Sequence, residues 1–454
     1  MRNIYLTSLA LLTAVLGISQ DPPEKTYSFT LEEAIEFALE NNYSAINAGR
    51  DIVDARKQKW ETIADGLPQI NGSVSYQNQL KQPVSLIPAE FAGGTPGEFV
   101  PIVFGQAHQA SATATLTQKI FDGSYIVGVQ ATKSFLSYSA NNEEKTDQEV
   151  RKSVVEAYGN VLLAKESVAI LEKNKANLEK NLFETNKLYE NGLGDEESVE
   201  QLQITLSSIE SQLKNTVRLE NITRQMLNLV MGIAIDAPTK LEEDLDDLAE
   251  SQIDFALMES EFNMANNVDY KLAINLTEQR FFEWKLARSR ALPTLSTFIN
   301  YGSTAYSDSF TFFKSEQDWF DSSVLGLDLS IPLFSSGKRS ASTARAKIAM
   351  EKAKTQLSEA EEQIRLQLEK AKSDYILSIE EYETAKQNLG LAERIENKNQ
   401  IKYSEGIASS FDLRQAQTQL YDAQQGYLQS MVEVINKKTE LEVIINEPIS
   451  NLKQ

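Results

Sequence analysis

Cysteine is absent from this 454-residue chain, which removes disulfides, thiol catalysis, zinc-thiolate sites and a lipid-modified N-terminal cysteine at one stroke. Histidine occurs once, as His108 in a polar stretch, where an ordinary surface role is expected rather than metal ligation. Positive charge is in deficit. The formal net charge of -21 argues against nucleic acid or anionic lipid as a general partner, because both need contiguous Lys/Arg surface. Past the first twenty residues no stretch approaches the roughly 20 consecutive apolar residues of a spanning helix, so any membrane crossing must be made by strands. No nucleophile-base pair, metal-ligand cluster or phosphate-cradling glycine loop marks an enzyme, and no cofactor or metal is implied.

What is present begins with Arg2, an apolar run over 6–15 and the small residues Gly17 and Ser19, the pattern of a cleaved secretory signal with the cut near Ser19-Gln20. Behind it one pattern is written twice. Leu67-Pro68 corresponds to Leu292-Pro293, Ile120-Phe121-Asp122-Gly123 to Leu333-Phe334-Ser335-Ser336-Gly337, and 189–206 to 403–420. Gly192 falls on Gly406 and Gln201-x-Gln203 on Gln415-x-Gln417, so an internal duplication sets the architecture. The expected layout is a signal peptide over 1–19 and a first repeat over 20–234, with strand hairpin 69–118, long helix 124–190 and return helix 193–231. An acidic inter-repeat segment over 235–260 follows, then a second repeat over 261–446 with hairpin 294–331, long helix 338–404 and return helix 407–445, and a tail over 447–454. Shorter helices are expected ahead of each hairpin, about 31–66 and 262–292. The run Glu242-Glu243-Asp244-Leu245-Asp246-Asp247 reads as a solvated charge run in a small collar.

The hairpins alternate with period two. Ile70, Gly72, Val74, Tyr76 and Leu80 oppose Gln69, Asn71, Ser73, Ser75 and Gln77; Ala110, Ala112, Ala114 and Leu116 oppose Ser111, Thr113, Thr115 and Thr117. In the second copy Leu325, Leu327, Leu329 and Ile331 oppose Gly326, Asp328 and Ser330, while Phe298 interrupts the polar face of its strand. Tyr76, Phe104, Tyr301, Tyr306, Phe310, Phe312, Phe313, Trp319 and Phe320 gather near strand ends and in the loops, as at a membrane interface. A soluble sheet on a core would alternate in the same way; the aromatic flanks and long loops favour lipid outside and water inside. Four strands leave two open edges, which hydrocarbon does not tolerate, so several copies must close a barrel. Two copies would supply eight strands and three would supply twelve; the polar inner face favours three.

No proline interrupts the two long helical stretches, each about 100 Å at 1.5 Å per residue. Apolar residues step by three and four through Val150, Val154, Val161, Leu171, Leu178 and Leu182, and again through Ile364, Leu368, Tyr375, Ile379 and Tyr382, a seam for side-by-side packing. Gly192 and Gly406 sit where each long helix must stop and turn back.

Helix, strand hairpin, very long helix and helical hairpin, repeated behind a signal peptide, resembles the TolC family of outer-membrane efflux and secretion channels. The pieces that carry the resemblance are Phe29-Thr30-Leu31-Glu32-Glu33-Ala34 with Leu39-Glu40-Asn41-Asn42, the two Leu-Pro pairs, Ile331-Pro332-Leu333-Phe334 with Gly337, and the tips Asn191-Gly192-Leu193 and Glu405-Gly406-Ile407. The resemblance implies a mostly α protein with a small β part: a duplicated antiparallel α-helical barrel, plus a transmembrane β-barrel contributed by three chains of four strands each. It implies a homotrimer in the outer membrane of a Gram-negative bacterium, with the helical tunnel in the periplasm. Its partners would be outer-membrane lipid, a periplasmic adaptor (membrane fusion protein) and an inner-membrane transporter of RND, ABC or MFS type, with no nucleic acid. The tips at Gly192, Leu193, Gly406 and Ile407 would dock the adaptor. Asp412 matches an acidic ring position of the gate, and Gln415 stands where some members carry a second aspartate. Tyr403 matches a gate tyrosine, yet its usual arginine and aspartate partners are replaced by Ala408 and Ser198. Asp195, Glu196 and Glu197 make the first tip acidic instead and are further constriction candidates, where like charges would raise one another's pKa. The competing reading is a periplasmic coiled-coil structural or adaptor protein without a pore. It explains the helices and leaves the strands without a reason.

Overall fold

The computed structural model describes residues 27–446, so the signal segment and the tail lie outside the described residues. In chain order the elements are β1 (Tyr27–Phe29), α1 (Leu31–Asn41), α2 (Tyr43–Ala64), β2 (Gln69–Asn78), β3 (Val84–Pro88), β4 (Phe99–Val103), β5 (His108–Asp122), α3 (Gly123–Glu190) and α4 (Glu196–Met231). Then come β6 (Thr239–Leu241), α5 (Leu245–Ser251), α6 (Ala256–Glu259), α7 (Val268–Ser289), β7 (Thr294–Ser307), β8 (Phe320–Ser330), α8 (Lys338–Ser404) and α9 (Ser410–Ile445). Two compact units share these elements. One takes the chain up to Asp51, Asn141–Lys271 and the chain from Glu359; the other takes Ile52–Ala140 and Leu272–Ser358. No helix among the described residues is long and apolar enough to cross a membrane.

In the first unit the seam residues make the core. Val154, Tyr158 and Leu162 from α3 pack with Leu227 and Met231 from α4, Tyr375 from α8, and Ile435 and Leu441 from α9. Full burial of such side chains stabilises by about 1.5–3 kcal/mol each. The helix expected over 31–66 is broken at Asn42, where a local cap and a distant partner meet. The Asn42 Oδ1 accepts from the Ser44 N–H at 2.7 Å and so caps α2, while its Nδ2 donates to the Val230 carbonyl at 2.6 Å. Thr30 opens α1 with a capping box closed by Glu33.

Four of the five acids at 242–247 are exposed, and several also have specific partners. Glu243 accepts from the Leu31 N–H at 2.6 Å at the start of α1, and Glu242 accepts from the Ser28 hydroxyl at 2.8 Å. Asp244 pairs with Lys165 at 3.1 Å, and Asp246 accepts from the Tyr427 hydroxyl at 2.7 Å. Burial, then the Asp246 carboxylate, pushes the Tyr427 phenol well above its ordinary range. These acids tie the parallel pair β1–β6, and with it α1, to α3 and α9.

The second unit is built on a four-stranded antiparallel sheet ordered β2-β5-β7-β8, which leaves β2 and β8 as its edges. Register places Ile70 opposite Leu116, Leu116 opposite Ile299 and Ile299 opposite Leu325, so one apolar row crosses all four strands. The other face carries hydroxyl and amide pairs: Ser73 with Thr113 at 2.7 Å, Ser75 with Ser111 at 2.8 Å, and Asn300 donating to Thr115 at 2.7 Å. Phe298, which spoils that polar face in sequence, lies over Gly326 of β8; a Cβ there would stand 2.4 Å from its ring. Within the hairpin expected over 69–118, the connection between β2 and β5 contains a second hairpin, β3 with β4. At the loop end of the sheet Tyr76, Phe310, Phe312 and Trp319 form an aromatic cluster, and Phe312 packs on Ala110 and Ala305. His108 belongs to this cluster, its Nδ1 2.7 Å from the Tyr76 hydroxyl.

Candidate gate and docking tips

Each long helix ends in the same way. The Gly192 N–H donates to the Tyr189 carbonyl at 2.9 Å and the Leu193 N–H reaches back to Leu188 at 2.9 Å; Gly406 and Ile407 repeat this with Tyr403 at 3.0 Å and Lys402 at 2.8 Å. This pairing needs a left-handed residue, and Gly192 (φ 75) and Gly406 (φ 72) supply it without steric cost. The return helices start three residues later than the periodicity suggests, at Glu196 and Ser410, because Asp195 and Ser409 are N-caps with extended backbone. The apolar residues just past the glycines, Leu193 and Ile407, stand 78% and 71% exposed at equivalent points of the two tips.

Asp412 is engaged in capping its own helix: its carboxylate accepts from the Ser409 N–H at 3.0 Å and the Ser409 hydroxyl at 2.7 Å. The hydroxyl, then the backbone N–H, holds the Asp412 carboxyl below the ordinary aspartate range. Asp195 is lowered likewise, by the backbone N–H and then the hydroxyl of Ser198. Glu196 and Glu197 are exposed in the first turn of α4, and Glu197 accepts from Gln201 at 2.9 Å. Gln415 is exposed one turn beyond Asp412. The structure therefore gives Asp195 and Asp412 a capping duty and keeps all five polar tip residues in water.

Tyr403 has a neutral partner, the Thr185 hydroxyl at 2.8 Å. The Ser198 hydroxyl, which donates to the Asp195 carboxylate, lies 2.8 Å from the Ser410 hydroxyl and accepts from it. Two more pairs continue the series. Asn181 and Gln400 exchange amide hydrogen bonds at 3.0 and 2.9 Å, and Asn174 donates to Gln424 at 2.9 Å. All four pairs join a helix of the first repeat to a helix of the second, and Asn174, Asn181, Thr185 and Ser198 are all buried. Sequence reasoning missed this ladder although its signal was present: Leu171, Asn174, Leu178, Asn181 and Thr185 are spaced as one seam, so its polar members had to find partners inside the packing. Beside the ladder lies a polar cleft of about 310 Å3 lined by Asn174, Arg414, Gln417, Tyr421 and Gln424. Burial and the nearby Glu396 carboxylate push the Tyr421 hydroxyl up to about 12.

The chain thus carries an amphipathic four-stranded sheet with two free edges and two very long helices, each ended by a tight helical turn. The chain belongs to the outer membrane efflux protein family, whose model matches residues 34–232 and 265–447. It is accordingly an outer-membrane efflux channel protein, with its helices in the periplasm, in a family of channels rather than enzymes. Its fold is similar to that of VceC from Vibrio cholerae (16% identity over 91% of this chain and 95% of that one, TM-score 0.69). It is similar too to CmeC from Campylobacter jejuni (17%, 93% and 88%, TM-score 0.70) and to the open state of MtrE from Neisseria gonorrhoeae (16%, 91% and 88%, TM-score 0.68). No curated protein matches this chain.

Proposed function

We propose that three copies of this chain close one twelve-stranded barrel and that the helical tips form its gated periplasmic mouth. The observation that carries this reading is the pair of free edges, β2 and β8, on a sheet with one continuous apolar row and one hydroxyl-lined face. Unpaired backbone groups in hydrocarbon cost several kcal/mol each, so the edges must meet those of neighbouring copies. Twelve strands leave a lumen wide enough for water, which the Ser, Thr and Asn face suits.

The mouth opens when the two repeats part at the ladder, and an adaptor engages the exposed Leu193 and Ile407 to drive that parting. An inner-membrane transporter supplies the energy; the channel itself is a passive duct. A pore-free periplasmic coiled coil is disfavoured by the family and by the four strands. The cysteine-free background makes the test direct. Ser75→Cys with Ser322→Cys, joined by a short bismaleimide, should give linked species that stop at three chains; linkage ending at two would overturn the stoichiometry. In planar bilayers Asp412→Asn should weaken block by divalent cations, and unchanged block would remove Asp412 from the constriction.

A further inference from the structure

The whole-chain charge conceals a local reversal. Residues 284–307 contain Lys285, Arg288 and Arg290 and no acidic residue, and residues 331–350 contain Lys338, Arg339, Arg345 and Lys347 and again none. In a chain with 65 Asp and Glu against 44 Lys and Arg, two such windows are a local departure from the average, and both lie in the same unit. They flank the sheet directly. Arg290 precedes the first residue of β7 by four positions, and Lys338 follows the last residue of β8 by eight, while Thr294 and Ser330 are paired in the sheet.

The two helices also hold these cations at matching levels. Thr277 bonds to the Ala353 carbonyl and Thr343 to the Ala287 carbonyl, a constant antiparallel register that sets Lys285 level with Arg345 and Arg290 level with Ser340. Along α8 Lys338 and Arg345 are two turns apart, about 10 Å. Arg288, Arg290, Lys338 and Arg345 are exposed. Among the described residues none of these, nor Lys285, forms an ion pair, whereas their neighbours Arg280 and Lys347 pair with Glu283 and Glu351. Instead the Arg288 guanidinium lies 4.9 Å from the Trp284 ring centre and the Lys285 ammonium 4.7 Å from that of Phe281. Lys338 and Arg339 occupy the first turn of α8, where the helix dipole disfavours cations and no acid offsets them. Cations without ion-pair partners, two of them laid on aromatic rings, suit an anionic surface at an interface even with the Asp122 carboxylate opposite Thr294 at the same end of the sheet.

We propose that this basic and aromatic zone binds the anionic phospholipid headgroups of the periplasmic leaflet of the outer membrane. The proposal rests on the channel's orientation, strands in the membrane and helices in the periplasm. The fourteen residues of β7, at about 3.3 Å each and tilted near 45°, cover roughly the 30 Å of hydrocarbon. The residues next to Thr294 and Ser330 therefore emerge among headgroups, and Lys and Arg chains reach back to them. Charge complementarity selects phosphatidylglycerol-like lipid over zwitterionic lipid.

The test uses the full-length protein in a neutral detergent, titrated with brominated phosphatidylglycerol or brominated phosphatidylethanolamine of the same acyl chains and read by tryptophan quenching. The wild type should prefer phosphatidylglycerol by roughly fivefold or more, the factor one cation near an anionic surface contributes, and the preference should shrink in high salt. The combined Lys285→Gln, Arg288→Gln, Lys338→Gln, Arg345→Gln variant should lose the preference, and the charge-keeping Arg288→Lys, Arg345→Lys variant should retain it. Equal binding of the two lipids by the wild type would overturn the proposal. So would an altered anion preference of the Gln variant in planar films of neutral lipid, because that result places the cations in the lumen. If the Gln variant fails to fold, the wild-type preference, its salt dependence and the charge-keeping variant decide. Absence of conductance from the wild type would instead count against the channel reading.

Discussion

The polar ladder makes the tip's cohesion a matter of single side chains. Asn181 and Gln400 satisfy each other in a buried seam, so Asn181→Ala strands an amide and should cost about 1–3 kcal/mol. Replacing both by leucine removes the polar demand and should restore most of that loss. A double-mutant cycle on urea unfolding reads this difference, and additivity of the two single changes would show that the pair does not act as a unit. Titration offers a second handle. Burial raises the Glu396 carboxyl above its ordinary 4.5, so its stabilising contribution is full below that value and fades as pH rises through the higher folded one. Asp195 and Asp412 have the opposite sign: their contribution is present above 3.8 and is lost only as pH falls through their lower folded values. Glu396→Gln should therefore melt above the wild type at about pH 7.5 and converge with it near pH 4, below the ordinary 4.5. Equal melting at both values would mean that Glu396 is not held in a raised state.

At the level of elements the helix ends matter more than the helix interiors. Gly406 takes a left-handed conformation that an alanine adopts only at a cost of about 1–2 kcal/mol, so Gly406→Ala should loosen the second tip. Gly390 sits inside α8 with open space where a Cβ would go, and Gly390→Ala should stabilise by about 0.5–1 kcal/mol. Thermal unfolding of the two variants should move in opposite directions, and a shared direction would contradict the assignment of Gly406 to the turn. The seam spacing announced α3 and α8 plainly, because a residue pattern every three or four positions is a local property of one helix. The break at Asn42 was not legible in that way. It depends on a carbonyl at Val230, almost two hundred residues further on, that fixes the asparagine at the join between α1 and α2.

For the whole molecule the decisive property is the two-faced sheet with free edges. Val74 lies on the apolar face and Ser73 beside it on the hydroxyl face. A lysine near mid-membrane on the lipid side costs about 2–4 kcal/mol, whereas a lumen lysine alters selectivity. Val74→Lys should thus reduce the heat-modifiable, assembled fraction in outer-membrane preparations, while Ser73→Lys should assemble and shift ion preference. Equal assembly of both would argue that the two faces do not see different solvents.

The sequence by itself determined the duplication, the alternating hairpins, the long helices and the glycine turns, since each follows from periodicity or from the backbone preference of a single residue. Only the tertiary structure decided the uses of the polar side chains. The acids at 242–247 bind helix α1, Tyr427 and Lys165, and Asp412 caps α9. Tyr403 meets Thr185, Asn181 meets Gln400, and the cations of α7 and α8 stand level beside the sheet. The physical reason is that hydrophobic spacing is read within one element, whereas a hydrogen bond or a charged zone needs partners from distant stretches of chain to be brought within a few ångströms.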